Sequence, residues 1–450
     1  MKRNIDCYSI YPMVVLSGRK TTISIFSKMS GDGSESGINP WGKIKTGGTF
    51  SEKKQYKVNV TPREIKSANT TTQQDISYTI SNGYLVFDYT FYDEQEYMVF
   101  IYESYNGENV QLTFFKLYCL EDDLYELLPW KGEMHMHSNY SDGKQPPEIM
   151  YAHARRVGME FAVLTDHYSL QPAPEVMEKL LLVKTGMRIF NGEEVHKLGQ
   201  KMHIVSFGAT CCISKMLADN FDEIKQEAIK IAENHEPFPQ DVDPVEYGLQ
   251  RWVFDQIQKN DGLAILAHPY WPHEKNSVYI PTSLSRLIIN EGYVDAWEIT
   301  GVDDGDKDFL QGVLYAEELA KGVKMPVVGS TDAHDKAVLG DGFSIIFAKD
   351  SDYSSLASAI RNNMSVGARQ YKRADGELRY MAFGPARLVR YAMFLMSEFY
   401  SVQNRLCSLE GELMLEVFTG YNWAQDSIEK IAEHIKHEKM RCFGREPVEC

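Results

Sequence analysis

The first 128 residues have the hydrophobic pattern of short strands. Aromatic and β-branched residues dominate the runs YKVNV, ISYTI, YLVFDYTF, YMVFIYE and VQLTFFKLY, which Gly, Asn or acidic residues separate. The pattern predicts an all-β domain over residues 1–128, with a sandwich as the expected architecture. The Gly/Ser-rich run SKMSGDGSESGINPWG within it predicts a loop. We find no candidate catalytic residues there, which favours a structural or partner-binding module.

After residue 128 the rhythm changes to short apolar runs that alternate with helical stretches. The apolar runs are EMHMHS, FAVLTDH, MRIFNGEEV, HIVSFG, LAILAHP, VDAWEI, MPVVGSTDAH and FSIIFA. A repeated order of strand and then helix favours parallel strands. Seven or eight such units predict a TIM-like barrel over residues 129–375. Two further helices, about 221–235 and 245–260, are expected as an insertion over the barrel mouth.

The tail is predicted to be helical. In GPARLVRYAMFLMSEF, Leu388, Tyr391, Leu395 and Phe399 recur at helical spacing. Such a stripe is typical of core packing. We therefore expect residues 376–450 to form a helical C-terminal extension that packs on the barrel.

Composition narrows the classes of protein. The chain has 450 residues, enough for several domains, and 47 basic against 63 acidic residues give a net charge of −16, which argues against extended nucleic-acid or anionic-membrane binding. Seven cysteines show no CxxC spacing, and their odd number fits free thiols in a reducing compartment. Without a convincing signal peptide or a run long enough to cross a membrane, we expect a cytoplasmic protein.

Histidines and carboxylates recur where the predicted strands end. His135 and His137 are two residues apart on a strand and so share one face, an arrangement that suits a metal ion. Taken alone, this pair is equally compatible with surface or core histidines. Further candidates lie at other strand ends, and together they predict a metal site: His167, Glu194, His268, Asp332 and His334, with His203 at the start of its strand.

The motifs HMHSNYSDG, LTDH, GEE, HIVSFG, AHP and STDAH, in this order, resemble those of the PHP (polymerase and histidinol phosphatase) family of metal-dependent hydrolases over roughly residues 131–370. The resemblance implies a distorted seven-stranded (β/α) barrel that holds three divalent ions. Glu193 competes with Glu194 as the bridging carboxylate, and the family's Gly-x-Glu spacing selects Glu194. The implied ligands are His135, His137, Glu194 and Asp332 for the first ion, Glu194, His203 and His268 for the second, and Asp142, His167 and His334 for the third.

Nitrogen and oxygen ligands without cysteine suit Zn²⁺, Mn²⁺ or Fe²⁺. Clustered ions make hydroxide available near neutral pH and neutralise phosphoryl oxyanions. The resemblance therefore implies a phosphoesterase that cleaves a small-molecule or nucleotide phosphate ester by attack of a metal-bridging hydroxide. Two alternatives stay open: a carbamate or carboxylic ester hydrolase on the same barrel, and a non-catalytic, metal-stabilised binding module.

Residues around the implied ligands have two interpretations each. Asp166 either orients an imidazole or caps a helix. His196 either contacts substrate or protonates a leaving group, or else it is a satisfied loop histidine. The aromatic and basic candidates are either substrate contacts or packing and surface residues: Tyr270, His273, Arg369, Lys372 and Arg373.

Overall fold

A computed structural model describes residues 7–28, 34–39, 42–46, 49–105, 107–170, 174–196, 203–235, 237–269, 280–301, 305–374 and 376–446. The chain folds into two compact units. The first comprises residues 1–128, 397–399 and 434–450, and the second comprises residues 129–396 and 400–433. The domain boundaries expected from the sequence stay a prediction.

The first unit contains two four-stranded sheets with the strand orders β1-β3-β8-β7 and β2-β10-β9-β6. Its elements are β1 Tyr8–Tyr11, β2 Val14–Leu16, β3 Lys20–Ser27, β4 Ser34–Asn39, β5 Gly42–Thr46, β6 Tyr56–Pro62, β7 Thr79–Ser81, β8 Tyr84–Thr90, β9 Gln95–Tyr105, β10 Glu108–Leu120 and α1 Asp122–Tyr125. β4 and β5 pair with each other where the sequence predicted a loop. Backbone pairing needs no apolar side chains, which explains why composition missed this ladder.

The two sheets of the first unit share one apolar core. In β6, Tyr56, Val58 and Val60 are buried, and the residues between them are only half-buried, as expected for a strand with one face on a core. The same buried cluster contains Ile25 of β3 and Phe87 of β8, so residues from both sheets contribute to it.

The second unit is built from two further sheets with the strand orders β13-β12-β11-β19-β20-β21 and β14-β15-β16-β17-β18. Its strands are β11 Leu128–Glu133, β12 Phe161–Val163, β13 Arg188–Phe190, β14 Gly192–Val195, β15 Ile204–Phe207, β16 Leu263–Leu266, β17 Ala296–Thr300, β18 Val327–Gly329, β19 Gly342–Ala348, β20 Ser365–Lys372 and β21 Leu378–Phe383. The α/β class is confirmed, whereas the strand ladders of the described ranges form two sheets and not one closed barrel.

Strand direction in the second unit differs from the expected all-parallel order. β11, β12 and β13 are parallel, as are β16, β17 and β18, but β15 is antiparallel to both β14 and β16. β19, β20 and β21 are likewise antiparallel neighbours. No helix lies between β14 and β15 in the described ranges, and so short a connection joins antiparallel strands more readily than parallel ones.

Helices flank these sheets. They are α2 Pro147–Arg156, α3 Pro174–Leu182, α4 Ile213–Asp219, α5 Phe221–Glu233, α6 Pro244–Lys259, α7 Thr282–Glu291, α8 Gly305–Ala320, α9 Tyr353–Arg361, α10 Ala386–Phe394, α11 Tyr400–Phe418 and α12 Gln425–Cys442. A π-helical turn, Leu395–Phe399, separates α10 from α11. None of the helices in the described ranges is both long and apolar enough to cross a membrane.

The helices expected as an insertion over the barrel mouth lie elsewhere, in the segment α4–α6. It leaves from the end of β15 and returns to the start of β16, and α6 packs against both strands. Val253 and Ile257 of α6 belong to a core cluster that also contains Ile204 and Leu266 of the strands. The apolar face of the helix is thus buried against the flank of the sheet.

Candidate metal centre

Four side chains converge where β11 and β18 end. His135 Nε2 lies 3.2 Å from Glu194 Oε2 and 3.2 Å from Asp332 Oδ1. His137 Nε2 lies 3.2 Å and 3.1 Å from the same two oxygens. The backbone brings the two ends together, because His137 N donates to Ala333 O at 2.9 Å. Residues 135 and 137 follow β11 on either side of an isolated bridge between Met136 and Ala333, and both imidazoles face the same pair of carboxylates.

These atoms fit a divalent cation. His135 Nε2, His137 Nε2 and Asp332 Oδ1 are buried and have no hydrogen-bond partner within the described part of the chain. Buried polar atoms normally have partners, so three together that face one another require a ligand. Separations near 3.2 Å are typical of nitrogen and oxygen atoms that share one small metal ion.

A second group shares Glu194. His203 Nδ1 lies 2.6 Å and His268 Nε2 lies 3.1 Å from Glu194 Oε1. His203 immediately precedes β15, and the antiparallel direction of that strand brings its start to the edge where the neighbouring strands β14 and β16 meet the site. This direction explains why His203 alone among the sequence candidates begins a strand.

A third group surrounds Asp142. Asp142 Oδ2 lies 3.3 Å from His334 Nε2 and 3.8 Å from His167 Nε2, and Asp142 Oδ1 lies 3.6 Å from His137 Nδ1. His167 and His334 turn their Nδ1 atoms to backbone carbonyls, those of Glu194 at 3.1 Å and Asp332 at 2.9 Å. Their Nε2 atoms therefore face Asp142. The structure thus brings all nine implied ligands into one connected cluster.

Asp166 makes contacts that differ from both roles expected from the sequence, orienting an imidazole and capping a helix. Its carboxylate accepts hydrogen bonds from Ser138 N at 2.8 Å, Ser138 Oγ at 2.6 Å and Ser141 Oγ at 2.6 Å. Among the described residues, its side-chain partners are thus neither an imidazole nor the N-terminus of a helix. Instead it holds the turn that carries Asp142.

Glu193 points away from the cluster. Its carboxylate accepts hydrogen bonds from Ile213 N, Ser214 N and Cys212 Sγ at the start of α4. Successive side chains of a strand project to opposite faces, so Glu194 on the same strand faces the histidines.

Glu298 is a site residue that sequence reasoning missed. It lies on β17, in a run of five buried residues, and its Oε1 is 3.0 Å from His135 Nδ1. Among the described residues, Glu298, His135 and His268 also form a group that could hold an ion. An acidic residue inside the fully buried run AWEIT was the available signal, because a carboxylate is rarely buried without partners.

The carboxylates and imidazoles of the cluster are strongly coupled electrostatically. Burial opposes ionisation, yet His135 and His137 outweigh it and lower the pKa of Asp332 to about 2. In turn, burial disfavours the imidazolium of His137, but Asp332 and Glu194 raise its pKa to about 10. Carboxylates that stabilise a positively charged imidazole this strongly also stabilise a divalent cation, so the electrostatics favour a metal.

The remaining sequence candidates fall in three places. The His196 ring lies 4.5 Å from that of His203 and 5.2 Å from that of His167 between centroids, at the edge of the cluster. Burial, with His203 and His167, lowers the pKa of His196 to about 4. Arg369 Nη1 forms a 2.7 Å ion pair with Asp308 Oδ2, and Lys372 and Arg373 are exposed. Tyr270 and His273 lie outside the described residues.

Comparisons with solved structures give low similarity. A two-domain protein from Bacteroides vulgatus, described as containing a PHP-like metal-dependent phosphoesterase, is 15% identical over 54% of this chain and 65% of its own, with a TM-score of 0.34. The match therefore spans slightly less than two thirds of that structure. A structure from Bifidobacterium adolescentis, described as a metal-dependent phosphoesterase, is 15% identical over 46% of this chain and 88% of its own, with a TM-score of 0.32.

A lesion-specific endonuclease from Pyrococcus furiosus is 18% identical over 52% of this chain and 56% of its own, with a TM-score of 0.33. At such TM-scores the likeness carries no argument by itself. No curated protein matches the chain. The PHP domain family model matches residues 133–241, the part that contains the motifs from His135 to His203. This match identifies residues 133–241 as a PHP domain.

Proposed function

We propose that this protein is a metal-dependent phosphoesterase that hydrolyses a small-molecule or nucleotide phosphate ester. The observation that carries the proposal is the set of buried, unpartnered atoms that face one another: His135 Nε2, His137 Nε2 and Asp332 Oδ1. Such an arrangement costs folding free energy unless a cation satisfies it. The PHP domain match is consistent with the hydrolytic class.

Three ion positions follow from the three groups. The first uses the four converging side chains, the second uses Glu194 with His203 and His268, and the third uses Asp142 with His167 and His334. Ions bound there supply Lewis acidity and a water of lowered pKa. Zinc, manganese and iron all suit these ligands.

We further propose that the two sheets are the halves of a distorted (β/α)7 barrel. Backbone hydrogen bonds join them at the site: Glu194 N donates to Thr165 O at 2.8 Å, and His137 N, after β11, donates to Ala333 O, after β18, at 2.9 Å. Apolar residues from both sheets, such as Phe161 of β12 and Val205 of β15, share one core cluster. The cluster of histidines would then lie at one mouth of the barrel.

The side chains of this protein position the reacting groups and move the protons. Asp166 holds the turn of Asp142, and Glu194 joins the first two groups through its two oxygens. His196, at the edge of the cluster, is placed to contact substrate. Burial and its histidine neighbours favour its neutral form, so it must accept a proton before it can act as a general acid.

The test compares three substrates after loading with Mn²⁺ or Zn²⁺: p-nitrophenyl phosphate, bis(p-nitrophenyl) phosphate and p-nitrophenyl acetate. We expect turnover of a phosphate ester, and we expect His137→Ala to lower kcat/KM by more than about 100-fold, beyond the loss typical of a partner outside the ligand shell. Circular dichroism checks that the variant is folded. Full turnover by His137→Ala would contradict the site assignment.

A carbamate or carboxylic ester hydrolase is the second candidate. The specific observation in its favour is that Arg369, the most buried of the three basic candidates for substrate contact, is paired with Asp308. Its positive charge is thereby compensated, whereas a phosphate pocket needs uncompensated cations. Turnover of p-nitrophenyl acetate without turnover of either phosphate ester would select this candidate.

A further inference from the structure

Glu298 is a buried carboxylate in apolar surroundings. It is 1% exposed, and its neighbours on β17, Trp297 and Ile299, are fully buried. A carboxylate in such a place is stable only if hydrogen bonds satisfy both oxygens. Its partners therefore indicate what holds it there.

The partners of Glu298 in the described part of the chain are donors. His135 Nδ1 lies 3.0 Å from Oε1, Ser330 Oγ also donates to Oε1, and His268 N donates to Oε2 at 2.8 Å. A carboxylate can only accept in these contacts, so the His135 imidazole carries its proton on Nδ1. The carboxylate thus accepts hydrogen bonds on both of its oxygens.

The first consequence concerns the ring of His135. With Nδ1 bound to Glu298, the other ring nitrogen, Nε2, faces Glu194 and Asp332, each at 3.2 Å. His167 instead turns its Nδ1 to a backbone carbonyl. A carboxylate partner fixes the ring orientation and increases the basicity of the ligating nitrogen.

The second consequence concerns the backbone of His268. Its φ angle is +24°, in the region that residues other than glycine rarely adopt. Such a conformation persists only when its surroundings determine it. The hydrogen bond from His268 N to Glu298 holds that conformation, and from it the His268 side chain reaches Glu194 Oε1 at 3.1 Å.

We propose that Glu298 is a positioning residue that couples the first and second ion positions, by orienting the imidazole of His135 and the backbone of His268 with one carboxylate. The inference rests on the proposed metal centre. It predicts different effects at the first two ion positions and at the third, because the hydrogen bonds of Glu298 described above do not involve Asp142, His167 or His334.

The test is ion binding, measured apart from turnover. Wild type, Glu298→Gln and Glu193→Gln are stripped with chelator and titrated with Zn²⁺ against a chromophoric competitor, and bound zinc is counted by elemental analysis. Glu193 is the matched control, because it is also a buried carboxylate that accepts three hydrogen bonds, but none from the cluster. An amide at 298 cannot accept from all three donors, since its nitrogen only donates.

We expect Glu298→Gln to bind two of the ions about 10- to 100-fold more weakly and to keep the third at wild-type affinity. Glu193→Gln should bind all three as the wild type does. Wild-type affinities in a folded Glu298→Gln protein would overturn the inference, and so would equal weakening at all three positions.

If Glu298→Gln does not fold, the same titration is done with Glu298→Asp, which keeps the negative charge but has a shorter side chain. Weaker binding at two positions supports the inference, and unchanged binding in the folded variant overturns it. If the wild-type protein binds zinc but cleaves no ester, the proposed function alone is contradicted. If the wild-type protein binds no ion, the proposed function and the role of Glu298 are both contradicted.

Discussion

At the scale of single residues, Asp308 has a carboxyl group whose pKa is raised. It lies on α8, is fully buried, and pairs with Arg369 Nη1 at 2.7 Å while accepting from Gly301 N at 3.3 Å. Burial raises the pKa of the carboxyl to about 6, and the guanidinium of Arg369 offsets only part of that effect. The cost of desolvation therefore exceeds the gain from the ion pair.

The raised pKa of Asp308 predicts how stability depends on pH. Between about pH 4 and pH 6 the unfolded chain has released this proton while the folded chain retains it, so the free energy of unfolding falls as pH rises through that window. The loss amounts to up to about 3 kcal/mol and is complete above pH 6. Asp308→Asn removes this contribution. Urea unfolding of both proteins, stripped of metal, measures the difference at each pH.

Asp352→Asn is the control for this experiment. Asp352 caps α9 and has a pKa lowered by hydrogen bonds from Ser354 and Ser355, so it does not titrate between pH 4 and pH 6. We expect its stability curve to run parallel to that of the wild type. If the curve of Asp308→Asn is parallel too, the raised pKa is wrong.

Residues differ in how far the sequence reveals them. The histidines could be predicted as a group because the spacing of residues 135 and 137 predicts a shared face, which they keep although β11 ends at Glu133, and because motifs place the others at strand ends. For Glu298 the sequence shows only an acidic residue within the run AWEIT, since no histidine stands near it in the chain and its partners come from three other segments. Hydrogen bonds between distant segments depend on register, which local patterns do not encode.

At the scale of elements, α2 and α11 pack unusually closely. A Cβ atom at Gly411 would lie 2.5 Å from Arg156 N and 2.6 Å from Ala152 O. Next to it, Arg155 donates to Glu410 Oε2 from Nε at 2.9 Å and from Nη2 at 2.7 Å. The missing side chain lets the two backbones approach, and the buried ion pair sets their register.

Gly411→Ala should therefore destabilise the protein although alanine favours helices. The added methyl group meets backbone atoms that cannot rotate away, at a cost of about 1–3 kcal/mol. Denaturant unfolding measures the change. Leu409→Ala, on the exposed side of the same helix, should shift the free energy of unfolding by less than about 0.5 kcal/mol. A Gly411→Ala protein as stable as the wild type would show that α2 and α11 separate freely.

Strand direction is the element property that the sequence left undetermined. Alternation of apolar and polar residues identifies a strand, and it is the same in either direction. The pattern around HIVSFG therefore located β15 but not its antiparallel course, which depends on the short connection from β14. The placement of the α4–α6 segment was wrong for the same reason, since β15 ends at the edge away from His203.

At the scale of the whole molecule, the C-terminal residues complete the first unit. Met13 N donates to Cys442 O at 2.8 Å, Tyr11 Oη donates to Glu438 at 2.6 Å, and Phe443 is 2% exposed. The sequence could not show this, because helical spacing identifies an amphipathic helix without naming the surface that covers it.

A chain that ends at residue 433 should therefore have a less stable first unit. We expect faster amide hydrogen exchange in β1 and β2, because their contacts with residues 434–446 are lost. A chain that ends at residue 446 is the control and should exchange as the full chain does. Equal protection of β1 and β2 in both truncated chains would mean that this segment does not support the unit.

The order of the cluster along the chain has a consequence for biosynthesis. Its members extend from His135 to His334, and the pair that meets most closely at the first group, His137 and Asp332, comes from opposite ends of this span. During translation, His135 and His137 emerge long before Asp332 and His334. The cluster is therefore complete only after about two thirds of the second unit has been synthesised, so ions bound there would be acquired after that point.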